Sequence, residues 1–340
     1  MNSAASVGMV LVCALAMVLS SCAPSGSVTR VEGGVADPVM GDWQGHRVES
    51  TGKVVPMVMQ VIALGDKNYR FVAQTSFERR EPLSLMTYEA RVEGTRLVIP
   101  EKPDWSVTLE NGVLSGRTPE AVQFELRHLA RLSPNLGARP PQGAVVLFDG
   151  TNLAGWERRD VKQRETPVGW IAADGVMPVV PGTGDIMTKR KFTDFQLHIE
   201  FRTPFMPEAR GQARGNSGVY LQGRYEVQVL DSYGLKGEDN ECGGIYKVGA
   251  PLVNMCAPPG QWQSYEITFH APGFGTDGSK VKDARVTVVH NGIVIHEDLA
   301  IPGPTGGSIE DDVKLPGGIL LQDHGNLVQY RNIWLCELKQ

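Results

Sequence analysis

An all-β fold is expected for this chain, a jelly-roll sandwich occupying the C-terminal half and more, with a smaller antiparallel β domain ahead of it. Three observations lead there. Short runs alternate apolar and polar side chains along most of the sequence, as half-buried strands do. No long stretch has the 3.6-residue apolar period of an amphipathic helix. Glycine (39) and proline (22) are plentiful and fall between the runs, where turns need them. The 340 residues suit about two domains. With 33 basic and 38 acidic side chains the formal charge is −5, and the mean hydropathy is −0.17. A 41% apolar content can build a sizeable core. There is no surplus of positive charge to neutralise phosphates, so nucleic acid is not an expected partner.

Residues 1–21 read as a lipoprotein signal peptide. The apolar run from Val7 to Leu19 is too short for a stable membrane span. Leu19-Ser20-Ser21-Cys22 resembles a bacterial lipobox, which would leave Cys22 diacylated at the start of the mature chain and tie a soluble body to the membrane surface. Residues 1–6 depart from the signal pattern in carrying no Lys or Arg. Export follows, with lipid anchoring at the outer membrane or facing the periplasm; Ala23 rather than Asp after the cysteine favours the outer membrane by the same resemblance. Residues 22–40, rich in Ser, Gly and Pro, form a tether.

From 41 to 132, alternating runs such as Val58–Leu64, Tyr69–Ala73, Arg96–Ile99 and Gln123–Leu126 are separated by turn signals such as Glu110-Asn111-Gly112. A small antiparallel sheet or barrel fits them, and it carries no chemical motif. Residues 133–143, with Ser133-Pro134 and Arg139-Pro140-Pro141, read as a proline-stiffened linker. Residues 144–340 return to strands: Phe195–Arg202, Tyr225–Leu230, Val286–His290 with an Asn291-Gly292 hairpin, and Ile319–His324 joined to Leu327–Leu335 by a Gly325-Asn326 turn. Two stacked antiparallel sheets accommodate these runs.

Strand alternation assigns side chains to faces. Phe195, Leu197, Ile199 and Phe201 point to the core, leaving Gln196, His198, Glu200 and Arg202 on the other side. A three-residue loop at Gln222-Gly223-Arg224 sets Tyr220 opposite Glu226 and Gly218 opposite Gln228, with Asn216 on the same face. The last hairpin gathers Gln322, His324, Gln329 and Arg331. Amides, carboxylates, Tyr, His and Arg beside small residues suit a groove for sugar hydroxyls, which need paired donors and acceptors. Ser217 lacks the strand-to-helix elbow of a nucleophile and reads as a structural or binding residue. Asp149 reads as turn-forming, and Gly182-Thr183-Gly184-Asp185 is followed by no helix, so it is not a phosphate loop. Asp231, Asp239 and Glu241 offer oxygens to a hard cation, although a surface role suits the last two better. Once Cys13 and Cys22 are set aside, Cys242 and Cys256 are expected to form a disulfide in an oxidising compartment, stabilising by about 3 kcal/mol. Cys336 reads as a small buried hydrophobe.

At these residues the chain resembles a known family. Ala144 to Trp156 (AVVLFDGTNLAGW), Arg214 to Tyr220 (RGNSGVY), Tyr225 to Ser232 (YEVQVLDS), Cys242 to Tyr246 (CGGIY), Leu321 to Gly325 (LQDHG) and Arg331-Asn332-Ile333 are similar to the 3-keto-disaccharide hydrolase domain, in its order. The resemblance implies a concanavalin- or laminin-G-like sandwich acting on glycosides whose sugar is oxidised to a ketone at C3. Such a ketone acidifies the C2–H, so a base can form the enolate, the C1 substituent can leave, and water can add to the unsaturated sugar. On this reading His324 or Glu226 moves protons, Glu200 is the second carboxyl, and Arg331 or Arg214 meets the enolate. Asn216, Tyr220, Gln228, Gln322 and Tyr246 would hold hydroxyls. No cofactor is implied beyond a divalent metal that could sit at the ketone oxygen. Direct glycosidase action by Glu200 and Glu226 and a non-catalytic carbohydrate-binding surface lipoprotein are the alternatives. Oligomeric state is not legible.

Overall fold

The computed structural model describes residues 37–78, 86–163, 165–309 and 312–339. The expected signal peptide, most of the tether and Cys22 lie outside the described residues.

Eight strands come first: β1 (Gly41–Val48), β2 (Val54–Gly65), β3 (Asn68–Gln74), β4 (Met86–Glu93), β5 (Arg96–Val98), β6 (Ser106–Glu110), β7 (Val113–Arg117) and β8 (Gln123–Leu129). Each pairs with its sequence neighbour, and β1 also pairs with β8, closing a barrel. Closure leaves no free edge, and an eight-stranded ring has just enough room inside for side chains. Trp43, Met59, Phe71, Leu97, Leu114 and Leu126 are buried there, every second residue on its strand turning inward. The Phe71 and Tyr88 rings stack at 5.1 Å.

The remaining strands make the sandwich. They are β9 (Val145–Phe148), β10 (Trp156–Arg158), β11 (Met177–Pro178), β12 (Ile186–Thr188), β13 (Phe195–Arg202), β14 (Ser217–Leu221), β15 (Tyr225–Val229) and β16 (Gln263–His270). After these come β17 (Gly273–Phe274), β18 (Lys280–Lys282), β19 (Ala284–His290), β20 (Ile293–Ile301), β21 (Leu320–Leu321) and β22 (Gln329–Glu337). One sheet runs β10-β12-β21-β14-β15; the other runs β11-β22-β13-β16-β19-β20, with β9 beside β22. Strands β17 and β18 form a separate two-stranded ribbon. Among the described residues helix is confined to two single 3-10 turns.

Phe195, Leu197, Ile199 and Phe201 of β13 face Val219, Leu221, Val227 and Val229 of the other sheet within one continuous core. Each such side chain stabilises the fold by about 1.5–3 kcal/mol through burial. The β14–β15 hairpin has the expected register, Tyr220 opposite Glu226 and Gly218 opposite Gln228. Asn291 and Gly292, both at positive φ, make the expected two-residue turn between β19 and β20.

Two expectations are corrected. Gly325-Asn326 closes no hairpin: β21 belongs to the five-stranded sheet and β22 to the seven-stranded one, so the segment crosses between layers. The Asn326 side-chain oxygen is used there, accepting from Asn216 N at 2.8 Å. The 133–143 segment, expected as a proline-stiffened linker, lies as a strap on the outer face of the seven-stranded sheet. Gly137 N donates to Glu200 at 2.6 Å, Asn332 donates to Ala138 O at 3.0 Å, and Ser133 meets Ser264 at 2.8 Å. Cys242 and Cys256 lie side by side as free thiols, not joined by the expected disulfide. Both are buried, Cys242 Sγ against the Tyr265 hydroxyl at 3.2 Å and Cys256 Sγ against Leu230 O at 3.4 Å.

The barrel is seated on the sandwich through polar contacts that burial strengthens. Asp42, 1% exposed, accepts from Tyr233 at 2.7 Å and from Arg131 at 2.7 Å. Arg210 donates to Leu64 O at 2.8 Å.

Candidate active site

Among the described residues two faces of the sandwich carry polar side chains, one beneath the 133–143 strap and the other beneath the segment 302–309. On the seven-stranded sheet, Glu200 and His198 are fully buried. Glu200 accepts from Arg331 Nε at 2.6 Å, Asn332 at 2.8 Å and Gly137 N, which leaves its oxygens saturated. His198 sits between Glu266 at 2.6 Å and Glu200 at 3.4 Å, with its ring stacked on Trp334. Burial alone would lower the imidazole and raise the carboxyl. The hydrogen bonds and opposite charges prevail, lifting His198 to about 9 and holding Glu200 at about 2. Glu200, expected in the groove, thus lies beneath the 133–143 strap, and Arg331 pairs with it and lies over the Trp262 ring, both on the other sheet from Glu226. Arg214 stands apart from that face as well. It is 5% exposed, donates to Asp231 at 2.6 Å and to Ala63 O at 3.2 Å, and so joins the sandwich to the barrel. That ion pair also occupies Asp231. Among the described residues no three His, Cys, Asp or Glu side chains stand together as metal ligands.

The other face is the outer side of the five-stranded sheet. Alternation puts Val219 and Val227 inward and Tyr220, Glu226 and Gln228 outward, where Tyr220 packs with Met187 and Leu320 in a cluster apart from the main core. Gly218 belongs to this row because a Cβ there would lie 2.4 Å from Glu226 Oε1 and 2.9 Å from the Tyr220 ring. The carboxyl thus rests on the bare backbone of β14. The segment 302–309 crosses above: Thr305 accepts from Glu226 N at 2.9 Å, and Tyr220 donates to Gly306 O at 3.0 Å. Gln322 donates to the Tyr220 hydroxyl at 3.2 Å. Tyr246 lies against Gly306, and its N–H donates to Glu226 O at 3.4 Å.

Glu226 is 3% exposed. Burial pushes its carboxyl up to about 7; the Tyr220 hydrogen bond opposes the rise, and the charge of Asp185 adds to it. Burial likewise raises the Tyr220 phenol well above its ordinary value, with the Glu226 charge and hydrogen bond acting in the same direction. Among the described residues three amide oxygens, Asn216 Oδ1, Gln228 Oε1 and Gln322 Oε1, are buried without a hydrogen-bond partner. An orphaned buried acceptor costs about 1–3 kcal/mol, and a hydroxyl-rich ligand would satisfy it.

The structure thus brings together Asn216, Tyr220, Glu226, Gln228, Gln322 and Tyr246. His324 is exposed on the loop after β21, and its ring makes no hydrogen bond among the described residues. Ser217 is structural, its hydroxyl donating to Gln322 O at 2.6 Å and meeting Tyr330 at 2.7 Å. Asp149 makes the expected turn, accepting from the Thr151 N–H and hydroxyl. Sequence reading passed over Arg159, Asp185 and Thr305. Each lies in a loop with no periodic pattern; the only signal was the Gly184-Asp185 pair, read as a failed phosphate loop.

No curated protein matches the chain. A crystal structure from Parabacteroides distasonis, of a protein described as a "putative glycosyl hydrolase", is 43% identical over 58% of this chain and 84% of its own, with a TM-score of 0.52. Two more from that organism, with the same description, are 21% and 22% identical. They cover 58% and 57% of this chain and 95% and 99% of their own, and with TM-scores of 0.42 and 0.41 they are too distant to bear on the site. Residues 143–336 match the model of the 3-keto-alpha-glucoside-1,2-lyase-like domain. With more than half its length in that match, the chain belongs to the 3-keto-α-glucoside-1,2-lyase-like domain family.

Proposed function

We propose that the protein cleaves the glycosidic bond of 3-keto-glycosides at the outer face of the five-stranded sheet, with Glu226 moving the proton. One observation carries this: a buried carboxyl poised at about 7 stands on a face with three unpartnered amide acceptors. A base with that value is half ionised at neutral pH, where taking and returning a proton are both accessible. The Glu226 carboxylate removes H2; the C2–H electrons become the enolate of the C3 ketone; the ketone re-forms as the C1–O bond breaks, and the leaving oxygen takes a proton. Water then adds across C1 and C2 to complete a net hydrolysis. Gln228, whose side-chain amide makes no hydrogen bond among the described residues, supplies a donor near the enolate in place of Arg214 and Arg331. His324 stands on the neighbouring loop as the second proton carrier. With Glu200 under the strap, direct two-carboxylate hydrolysis by Glu200 and Glu226 loses its second carboxyl.

Turnover of 3-keto-glucosides and their unoxidised parents by the wild type and Glu226→Gln tests the reading. Cleavage of the keto compounds alone, abolished in Glu226→Gln, is expected. Cleavage of the parents, or full activity in the variant, would refute it. Saturable binding without turnover would instead make the domain a carbohydrate-binding module. Export and lipid attachment at Cys22 are part of the proposal, and the mass of the mature N-terminus tests them.

A further inference from the structure

Asp185 and Arg159 join three segments around the carboxyl. Asp185 immediately precedes β12 and Arg159 immediately follows β10, and their side chains pair at 2.8 Å. The Asp185 carboxylate also accepts from Asp323 N at 2.9 Å, and Asp323 in return accepts from Gly184 N at 2.9 Å, so the loop bearing Gln322 and His324 is pinned from both sides. Arg159 reaches upward and donates to Ser308 O at 2.8 Å, tying down the segment that crosses above Glu226. The Asp185 side chain is largely withdrawn from water at 11% exposure, while Arg159 stays partly exposed at 34%. We propose that Asp185, clamped by Arg159, is the positioning residue of this site: it fixes the Gln322–His324 loop and the covering segment against each other beside the Glu226 carboxyl.

Among the described residues the ionisable groups facing Glu226 are few. They are Tyr220 from the paired strand, Asp185 with Arg159 from the sheet edge, and the Tyr330 phenol from the far layer. Asp185 is the only anion among them besides Glu226 itself, so replacing it has a definite sign. Asp185→Asn keeps a side-chain oxygen for Asp323 N but removes the charge and leaves the guanidinium unpaired, so Glu226 should ionise at lower pH. Arg159→Gln leaves the carboxylate unopposed, so Glu226 should ionise at higher pH. A merely structural role would shift neither in a charge-dependent direction.

The inference rests on Glu226 as the proton-transfer group, and two measurements separate the two ideas. In protein labelled with carboxyl-13C glutamate, the resonance missing from Glu226→Gln is titrated in the wild type, Asp185→Asn and Arg159→Gln. A midpoint near 7 in the wild type, lower in Asp185→Asn and higher in Arg159→Gln, is expected whether or not a substrate has been found. The pH profile of kcat/KM for a 3-keto-glucoside should move the same way. Unmoved midpoints in both variants would overturn the inference while leaving the catalytic reading intact. Shifted midpoints with undiminished turnover in Glu226→Gln would do the reverse.

Discussion

Replacing Glu226 by Gln should make the protein more stable and inactive at once, and the stability gain should grow as pH rises from 4.5 to about 7. The carboxyl titrates at 4.5 in an unfolded chain and at about 7 in the folded protein, so the folded state binds its proton more tightly. Stability from this group is therefore fully present below pH 4.5, declines as pH rises, and is gone above about 7. At 1.36 kcal/mol for each tenfold change in affinity, the loss is roughly 3 kcal/mol. The neutral amide has nothing to lose. Set side by side at one pH, the two proteins share every other titration, including that of His198, so the difference isolates Glu226. At pH 8 the variant should exceed the wild type by roughly 3 kcal/mol, or roughly 5–10 °C in Tm for a chain of this size; at pH 4.5 that excess should vanish. Differential scanning calorimetry at the two pH values reads this directly. An equal difference at both would show that Glu226 is not a raised carboxyl, and the acid–base chemistry built on it would fail.

Other substitutions separate the site from its supports. Gly218→Ala puts a methyl group where Glu226 Oε1 and the Tyr220 ring lie, so kcat should fall on the order of 10²-fold through misplacement of the base, measured alongside an unchanged far-UV spectrum. Glu200→Gln breaks a buried ion pair and should cost about 3–5 kcal/mol in denaturant unfolding at pH 7, while kcat/KM at 25 °C stays within about twofold because the residue lies under the strap. His198 should make stability fall as pH rises from 6.5 through about 9, since its partners hold the folded imidazole protonated; urea midpoints across that range, compared with His198→Gln, check the sign. Tyr233→Phe removes a buried donor from Asp42 and should cost about 1–3 kcal/mol, seen as a lower urea midpoint.

What could be read in advance was local. The Tyr220–Glu226 pairing follows from a three-residue loop and a period of two, and both lie within a dozen residues of sequence. The core half of β13 was legible for the same reason: Phe195, Leu197, Ile199 and Phe201 repeat every second position. The opposite half of β13 was not. His198 and Glu200 look like groove residues until Gly137, more than sixty positions earlier, is seen to cover them. The Gly325-Asn326 turn misled in a related way, because turn chemistry is blind to which sheet the next strand joins. Arg159 and Asp185 carry no period at all, and only the return of distant loops to one point gives them a place beside Glu226. Polar alternation thus marks a non-core face, and the covering segment decides whether that face binds a ligand or a strap.

The most direct measurement is proton NMR of an unsubstituted 3-keto-glucoside turned over in D₂O, sampled early and set against a no-enzyme control. Abstraction at C2 followed by elimination and hydration predicts product sugar carrying solvent deuterium at C2, formed at a rate that collapses in Glu226→Gln. Product that keeps its original C2 hydrogen would contradict enolate chemistry at this carboxyl.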